Sequence, residues 1–374
     1  MLIGIPRETR PGETRVAATP ETLKKLLASG KHEAVVETAA GTASSIADAA
    51  YEAAGARIAD ARAALAADLV LKVRAPAGDE LAALASGASL VGLLDPFDTA
   101  GLEAIARSGV NGFALERLPR ITRAQSMDVL SSQANIAGYK AVIIAANEYA
   151  RFMPMLMTAA GTVKAARVLV LGVGVAGLQA IATAKRLGAV IEASDVRPSV
   201  KDQVESLGGK WVDVPYETDE EREIAEGAGG YARPMPPAWM QRQAAIIAQR
   251  CAQMDIVITT ALIPGRPAPK LVKADTVAAM KPGSIIVDLA VEQGGNVEGS
   301  EAGHIVLRNG VKIVGLANLP ALVAADASAL YARNVLNFVA LSLNLKSGEF
   351  AIARDDEIVQ ATLVCENGQV VARK

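Results

Sequence analysis

The run Gly172-Val173-Gly174-Val175-Ala176-Gly177 limits what this chain can fold into more than any other feature. Three glycines at this spacing say little by themselves. Here an apolar segment, 168–171, comes directly before them, and a segment with helical spacing, 178–187, follows and stops at Gly188. A second apolar segment, 189–194, then ends on Asp195, close to the ~20-residue separation expected of a strand–turn–helix–strand nucleotide unit. In such a unit Gly172 turns the chain sharply, Gly174 leaves the backbone open to a pyrophosphate, and Gly177 lets the helix lie close to the strand. The helix start offers N–H groups and a positive dipole end to the phosphates. Asp195 can accept hydrogen bonds from both hydroxyls of an adenosine ribose, and its charge repels a 2′-phosphate, so the unit favours NAD(H) over NADP(H). Arg197, two residues on, works against that choice. Gly172, Gly174, Val175, Ala176, Gly177, Asp195, Val196 and Arg197 are the candidate cofactor-binding residues.

The 374 residues exceed one ordinary α/β domain and suit two. Hydrophobic residues reach 51% but aromatics only 3%, so the cores must be built from Ala, Val, Leu and Ile. A net charge of -2 gives nucleic acid little electrostatic hold. Cys251 and Cys365 lie too far apart for a metal motif or a disulfide framework, and a reducing compartment is the simple reading. The first residues read as a strand with a charged end, without the layout of a signal peptide. The longest uncharged apolar stretch, 168–184, is broken by the three glycines and falls short of the roughly 20 residues of a bilayer span. The chain is expected not to enter a membrane itself, which does not exclude docking onto a membrane protein.

Short apolar runs alternate with helix-spaced segments throughout. Strands are predicted over 2–6, 34–37, 69–73, 89–94 and 112–115, and again over 167–171, 190–194, 256–260, 284–289 and 312–316. Alternation of this kind makes mostly parallel sheets. Thr19-Pro20-Glu21 signals a helix start. A long helix over 129–149 joins the two series of strands, and a helix over 328–345 returns the chain to the first. The tail, 357–373, alternates about Asn367-Gly368, a two-residue hairpin turn. The expected fold class is α/β: two Rossmann-like domains, each a mostly parallel sheet flanked by helices, with a cleft between them. Residues 1–128 with 320–374 form a discontinuous first domain, and 129–319 the NAD(H)-binding Rossmann domain.

A second polar cluster, Pro119-Arg120-Ile121-Thr122-Arg123-Ala124-Gln125-Ser126-Met127-Asp128, falls at the junction of the two domains. By composition it is a solvated loop or a helix cap; by position it is where ligands bind. Its continuation through Ser131 and Gly138-Tyr139 closely resembles the NAD(H)-binding component of the proton-translocating transhydrogenases. The resemblance covers essentially the whole chain. It includes Ile3–Glu8, Glu13–Ala17, Lys72-Val73, Thr158–Gly161, Thr259–Gly265 (with Ala261 and Leu262) and Met280–Ser284. It implies that Arg120, Gln125, Asp128 and Ser131 surround the nicotinamide and its carboxamide, with Arg120 and Asp128 as an orienting pair. Ala261 and Leu262 join the cofactor-binding set, and Tyr231 belongs to a mobile loop that closes over the nucleotide. It also implies partners: an NADP(H)-binding subunit and a proton-conducting membrane subunit, with this chain a homodimer, peripheral on the cytoplasmic face of the inner membrane. The short tail suggests the form in which this component is its own polypeptide.

Direct hydride transfer between two nicotinamides needs positioning more than acid–base chemistry. The rival reading is alanine dehydrogenase, which shares this pattern and must also move protons. That family uses a lysine and a histidine where this chain has Arg74 and Asp95, and an aspartate where it has Glu292. The two histidines here, His32 and His304, read as surface residues. A third reading, an NAD-sensing subunit without catalysis, has no use for the Arg120, Gln125 and Asp128 set. Cys251 and Cys365 read as inert, 219–221 as a solvated helix start, and Met153, Met155 and Met157 as either a subunit contact or strand packing.

Overall fold

The computed structural model describes residues 1–226 and 235–372. Its contacts divide the chain into two compact units, Met1–Gln133 with Pro320–Lys374, and Ala134–Leu319. The first unit opens with β1 (Leu2–Ile5), β2 (Glu33–Glu37), β3 (Arg57–Ala59), β4 (Leu69–Arg74), β5 (Ser89–Leu93) and β6 (Asn111–Ala114). The second holds β7 (Leu156–Thr158), β8 (Gly161–Val163), β9 (Arg167–Leu171), β10 (Val190–Ser194), β11 (Lys210–Trp211), β12 (Ile256–Thr259), β13 (Ile285–Asp288), β14 (Ile305–Arg308) and β15 (Val311–Val314). The chain then supplies the first unit with β16 (Leu363–Glu366) and β17 (Gln369–Val370).

The first sheet runs β3-β2-β1-β4-β5-β6-β16-β17 and the second β11-β10-β9-β12-β13-β15-β14. Six strands of each are parallel, and read in chain order both follow 3-2-1-4-5-6, the doubly wound arrangement. Antiparallel strands only finish the edges: β16 and β17 in the first sheet, β14 in the second. The order reverses between β1 and β4 and between β9 and β12, and doubly wound sheets bind ligands beyond the carboxyl ends of such strands. Strands buried on both faces explain the near-continuous apolar runs: Val168, Leu169, Val170 and Leu171 are all buried, as are Ile256, Val257 and Ile258.

The helix Val129–Glu148 forms where predicted. The Thr19 hydroxyl accepts from Thr22 N–H in a capping box at the start of Pro20–Leu26. Several expectations need correction. The helix after the glycine-rich turn begins at Val175, not 178, because the turn itself supplies the first helical residues. The return helix is Ala324–Val339, with its start and end both earlier than predicted. Residues Glu357–Thr362 are a helix, capped by Asp356, rather than the first strand of a hairpin; the Asn367-Gly368 turn does join β16 to β17, both residues at positive φ. His32 is buried, not a surface residue, and burial pushes its pKa down. Glu221 is buried against Arg242 (2.5 Å), unlike the exposed Asp219 and Glu220 beside it.

Candidate functional site

The glycine-rich turn follows β9 at the point where the second sheet reverses its order. Its glycines are required for different reasons. Gly172 has φ +94°, and a side chain there would meet Thr260 Oγ1 at 2.7 Å and Ala261 N at 3.0 Å. At Gly177 a Cβ would lie 2.0 Å from the Gly172 carbonyl oxygen, so the helix Val175–Arg186 can sit this close only on glycine. Gly174 is unlike both. Its backbone is extended, φ −83°, and a Cβ would meet nothing within 4 Å among the described residues. Packing among the described residues does not need glycine at 174. Gly174 caps the helix without a side-chain hydrogen bond, and the N–H groups of a helix's first turn have no intrahelical partner. The cradle fits a pyrophosphate.

Gly138, on the helix Val129–Glu148, completes this packing. A Cβ there would lie 2.1 Å from the Ala176 carbonyl oxygen, so this helix presses on the start of the nucleotide helix.

Asp195 stands just past β10. One carboxylate oxygen accepts from Val173 N–H (2.7 Å) and from Arg197 Nη2 (2.9 Å); the other accepts from Arg197 N–H and Nε, both at 2.9 Å. Arg197 Nη2 also donates to the Val173 carbonyl (3.3 Å). The pair is a two-pronged fork that ties the end of β10 to the glycine-rich turn. Val196 is half-buried beside it.

The end of β12 is the other wall at the reversal. Thr260 Oγ1 donates to the Gly172 carbonyl (2.9 Å). Ala261 is held by Asn296, whose amide accepts from Ala261 N–H (3.0 Å) and donates to the Ala261 carbonyl (2.8 Å). Asn296 N–H in turn donates to the buried Asp288 carboxylate (3.1 Å). Leu262 is exposed. The sequence reading missed Asn296 and Asp288; an acid ending an apolar strand and an amide in a Gly-Gly-Asn turn were the available signals.

In the first unit, Ala124 and Met127 anchor the 3-10 turn Thr122–Met127 in the core, and Asn334 and Asn337 donate to the Ser126 carbonyl (2.8 and 3.0 Å). Arg120 and Gln125 are left exposed on this pinned segment. Asp128 caps the following helix: its carboxylate accepts from Ser131 N–H (2.9 Å) and Ser131 Oγ (2.5 Å). Asp128 and Ser131 are thus in direct contact. Arg123, which carried no expectation, binds Asp356 and Glu357. Tyr231 lies outside the described residues.

A buried ionic cluster at the reversal of the first sheet also escaped the sequence reading. Glu8 accepts from Val73 N–H (2.6 Å) and Arg74 N–H (3.2 Å) and lies 3.6 Å from Lys72 Nζ, which binds Glu80 at 2.8 Å. Glu13 takes Arg15 (2.7 Å) and Arg74 (3.1 Å), and Arg15 Nη1 reaches Gln133 (2.8 Å). Three acids meet three bases, which is how charges survive burial. Burial opposes ionisation of Glu13, but the hydrogen bond and charge of Arg15, with Arg74, outweigh it and hold the carboxyl down to about 2. Burial dominates at Glu8 and pushes its pKa up despite Lys72. Glu116 accepts from Leu94 N–H (3.1 Å) and Asp95 N–H (2.8 Å); burial pushes it up to about 7. Asp95 is exposed, with φ 51°.

Among the described residues no group of His, Cys, Asp or Glu is placed to hold a metal, and no helix is long and apolar enough to cross a membrane. Two doubly wound units, one carrying the nucleotide cradle, define a two-domain dinucleotide-binding α/β protein. The chain belongs to the alanine dehydrogenase/PNT family: its N-terminal domain matches residues 4–137 and its C-terminal domain residues 141–373. The chain is 52% identical over 379 residues to an NAD(P) transhydrogenase subunit alpha chain of Rhodospirillum rubrum, covering 99% of this chain and 98% of that one. The crystal structure of transhydrogenase from Sinorhizobium meliloti superimposes with a TM-score of 0.88 at 49% identity, covering 99% of this chain and 100% of that one. An alanine dehydrogenase of Bacillus subtilis is more distant, 30% identical over 382 residues, 99% of this chain and 92% of that one.

Proposed function

We propose that the chain binds NAD(H) on the Gly172–Gly177 turn and passes hydride directly between it and NADP(H) held on a partner subunit, in a complex whose membrane subunit conducts protons. The observation that carries the choice is at Arg74. It ends β4 with its guanidinium on Glu13, and a guanidinium cannot take a proton at neutral pH. Alanine oxidation requires proton transfer; hydride exchange between nicotinamides requires alignment and dryness. The nicotinamide, when bound, supplies the hydride chemistry. The chain's residues supply position: Gly174 and the helix start hold the pyrophosphate, Asp195 the ribose hydroxyls, and Ala261 and Leu262 line the wall beyond β12. Gln125 and Ser131 hold the carboxamide, with Arg120 and Asp128 orienting them, and Tyr231 shields the site.

The same reading makes the chain a homodimer, peripheral at the membrane through its partners. The β7–β8 hairpin and the residues leading into it support this: Phe152, Met155, Leu156 and Met157 are exposed, Met155 by 61% and Met157 by 71%, a run of apolar side chains that water alone does not favour. Met153, by contrast, is buried.

The test mixes the chain with the NADP(H)-binding subunit of a related transhydrogenase and follows NADPH-dependent reduction of an NAD analogue with its own absorbance band. Turnover that requires both proteins is expected. NAD reduction by alanine, with no partner present, would instead establish the alanine dehydrogenase reading.

A further inference from the structure

Arg197 sits where a site selective for NAD(H) gains nothing from a free cation. Its fork occupies both oxygens of Asp195, and its Nη2 is also fixed to the Val173 carbonyl in the glycine-rich turn. The second anchor matters. It holds the guanidinium at the turn by a contact that does not involve the carboxylate. The two side chains also cancel each other's charge, so a phosphate approaching this corner meets no net attraction.

We infer that Asp195 and Arg197 form one specificity unit, in which the carboxylate masks a guanidinium already in place to take a 2′-phosphate, so that loss of the Asp195 carboxylate alone opens the site to NADP(H). The inference rests on the nucleotide reading above and deepens it. An aspartate acting by repulsion alone, once neutralised, would merely stop excluding the phosphate. Here neutralisation also uncovers a planar, two-pronged donor suited to phosphate oxygens. For a chain meant to hold NAD(H) while its partner holds NADP(H), masking the cation keeps the two nucleotides on their own subunits.

The experiment is calorimetric titration of the parent chain, D195N, R197A and D195N/R197A with NADH, NADPH, AMP and adenosine 2′,5′-bisphosphate, with melting curves to show that each variant is folded. D195S replaces D195N should the amide misfold. The parent is expected to prefer NADH. In D195N the preference is expected to move toward NADPH, and from AMP toward the bisphosphate, by about tenfold or more, the scale of one charge-assisted hydrogen bond. Most of that shift is expected to vanish in D195N/R197A, and R197A alone is expected to gain no NADPH affinity. Equal shifts in D195N and D195N/R197A would leave repulsion as the whole cause and overturn the inference while sparing the nucleotide reading. No shift in D195N would overturn it too. A parent chain that binds no NADH overturns the nucleotide reading and this inference with it.

Discussion

A methyl group added at Gly174 meets no atom of the described residues within 4 Å, and the backbone there suits any residue. Gly174→Ala is therefore expected to melt with the parent yet bind NADH about tenfold or more weakly, because the methyl fills space the pyrophosphate needs. Gly138→Ala should do the reverse. The ~1 kcal/mol that alanine gains over glycine in a helix does not offset a Cβ 2.1 Å from the Ala176 carbonyl oxygen. Denaturant curves are expected to show a loss of about 1–3 kcal/mol, the usual cost of overpacking. A Gly174→Ala variant that binds NADH as the parent does would contradict this account of the turn. Glu116 gives a second residue-scale test. Its folded pKa, about 7, lies above its ordinary value of 4.5, so its contribution to stability is full below about 4.5 and is lost as pH rises through 7. Glu116→Gln removes that loss. It is expected to be more stable than the parent at pH 8, by up to about 3 kcal/mol, with the advantage gone at pH 4. Urea melts across this range check it; an advantage that grows toward acid would show the sign to be wrong.

Elements set by apolar runs and glycine spacing were legible in the sequence. The five parallel strands predicted for the second sheet appear as β9, β10, β12, β13 and β15, with side chains buried on both faces, and the five of the first as β1, β2, β4, β5 and β6. What escaped has tertiary causes. β11 is two residues long and β14 exists only by pairing with β15. Glu357–Thr362 alternates in sequence but is capped into a helix by Asp356, itself fixed by Arg123 from far along the chain. The site shows the same division. The glycine-rich turn and Asp195 declare themselves by spacing, whereas Asn296 and Asp288 leave only weak local signals and the Glu8, Lys72, Glu13 and Arg15 cluster none, because the sheet reversals assemble them. The β7–β8 hairpin carries its own prediction. Met155→Glu with Met157→Glu changes only exposed side chains, so the fold should survive while the proposed dimer dissociates. Sedimentation is expected to give a dimer for the parent and a monomer for the variant; a parent monomer at micromolar concentration would remove the dimer from the account.

For the molecule as a whole, the family match runs through both units, and both follow one strand order, yet among the described residues only the second carries an open glycine-rich turn. The corresponding reversal in the first sheet is filled by balanced charge, ending at Arg74 on Glu13. The absence of a proton acceptor at Arg74 is what the proposed hydride exchange, unlike a reaction with an amino acid, can tolerate. The most direct measurement uses NADPH deuterated on the transferred face of C4, an NAD analogue, this chain and an NADP(H)-binding subunit of a related transhydrogenase. Deuterium recovered quantitatively in the reduced analogue, with none in the water, is the expected result. Label lost to solvent, or reduction that proceeds without the second protein, would contradict direct transfer between the two nucleotides.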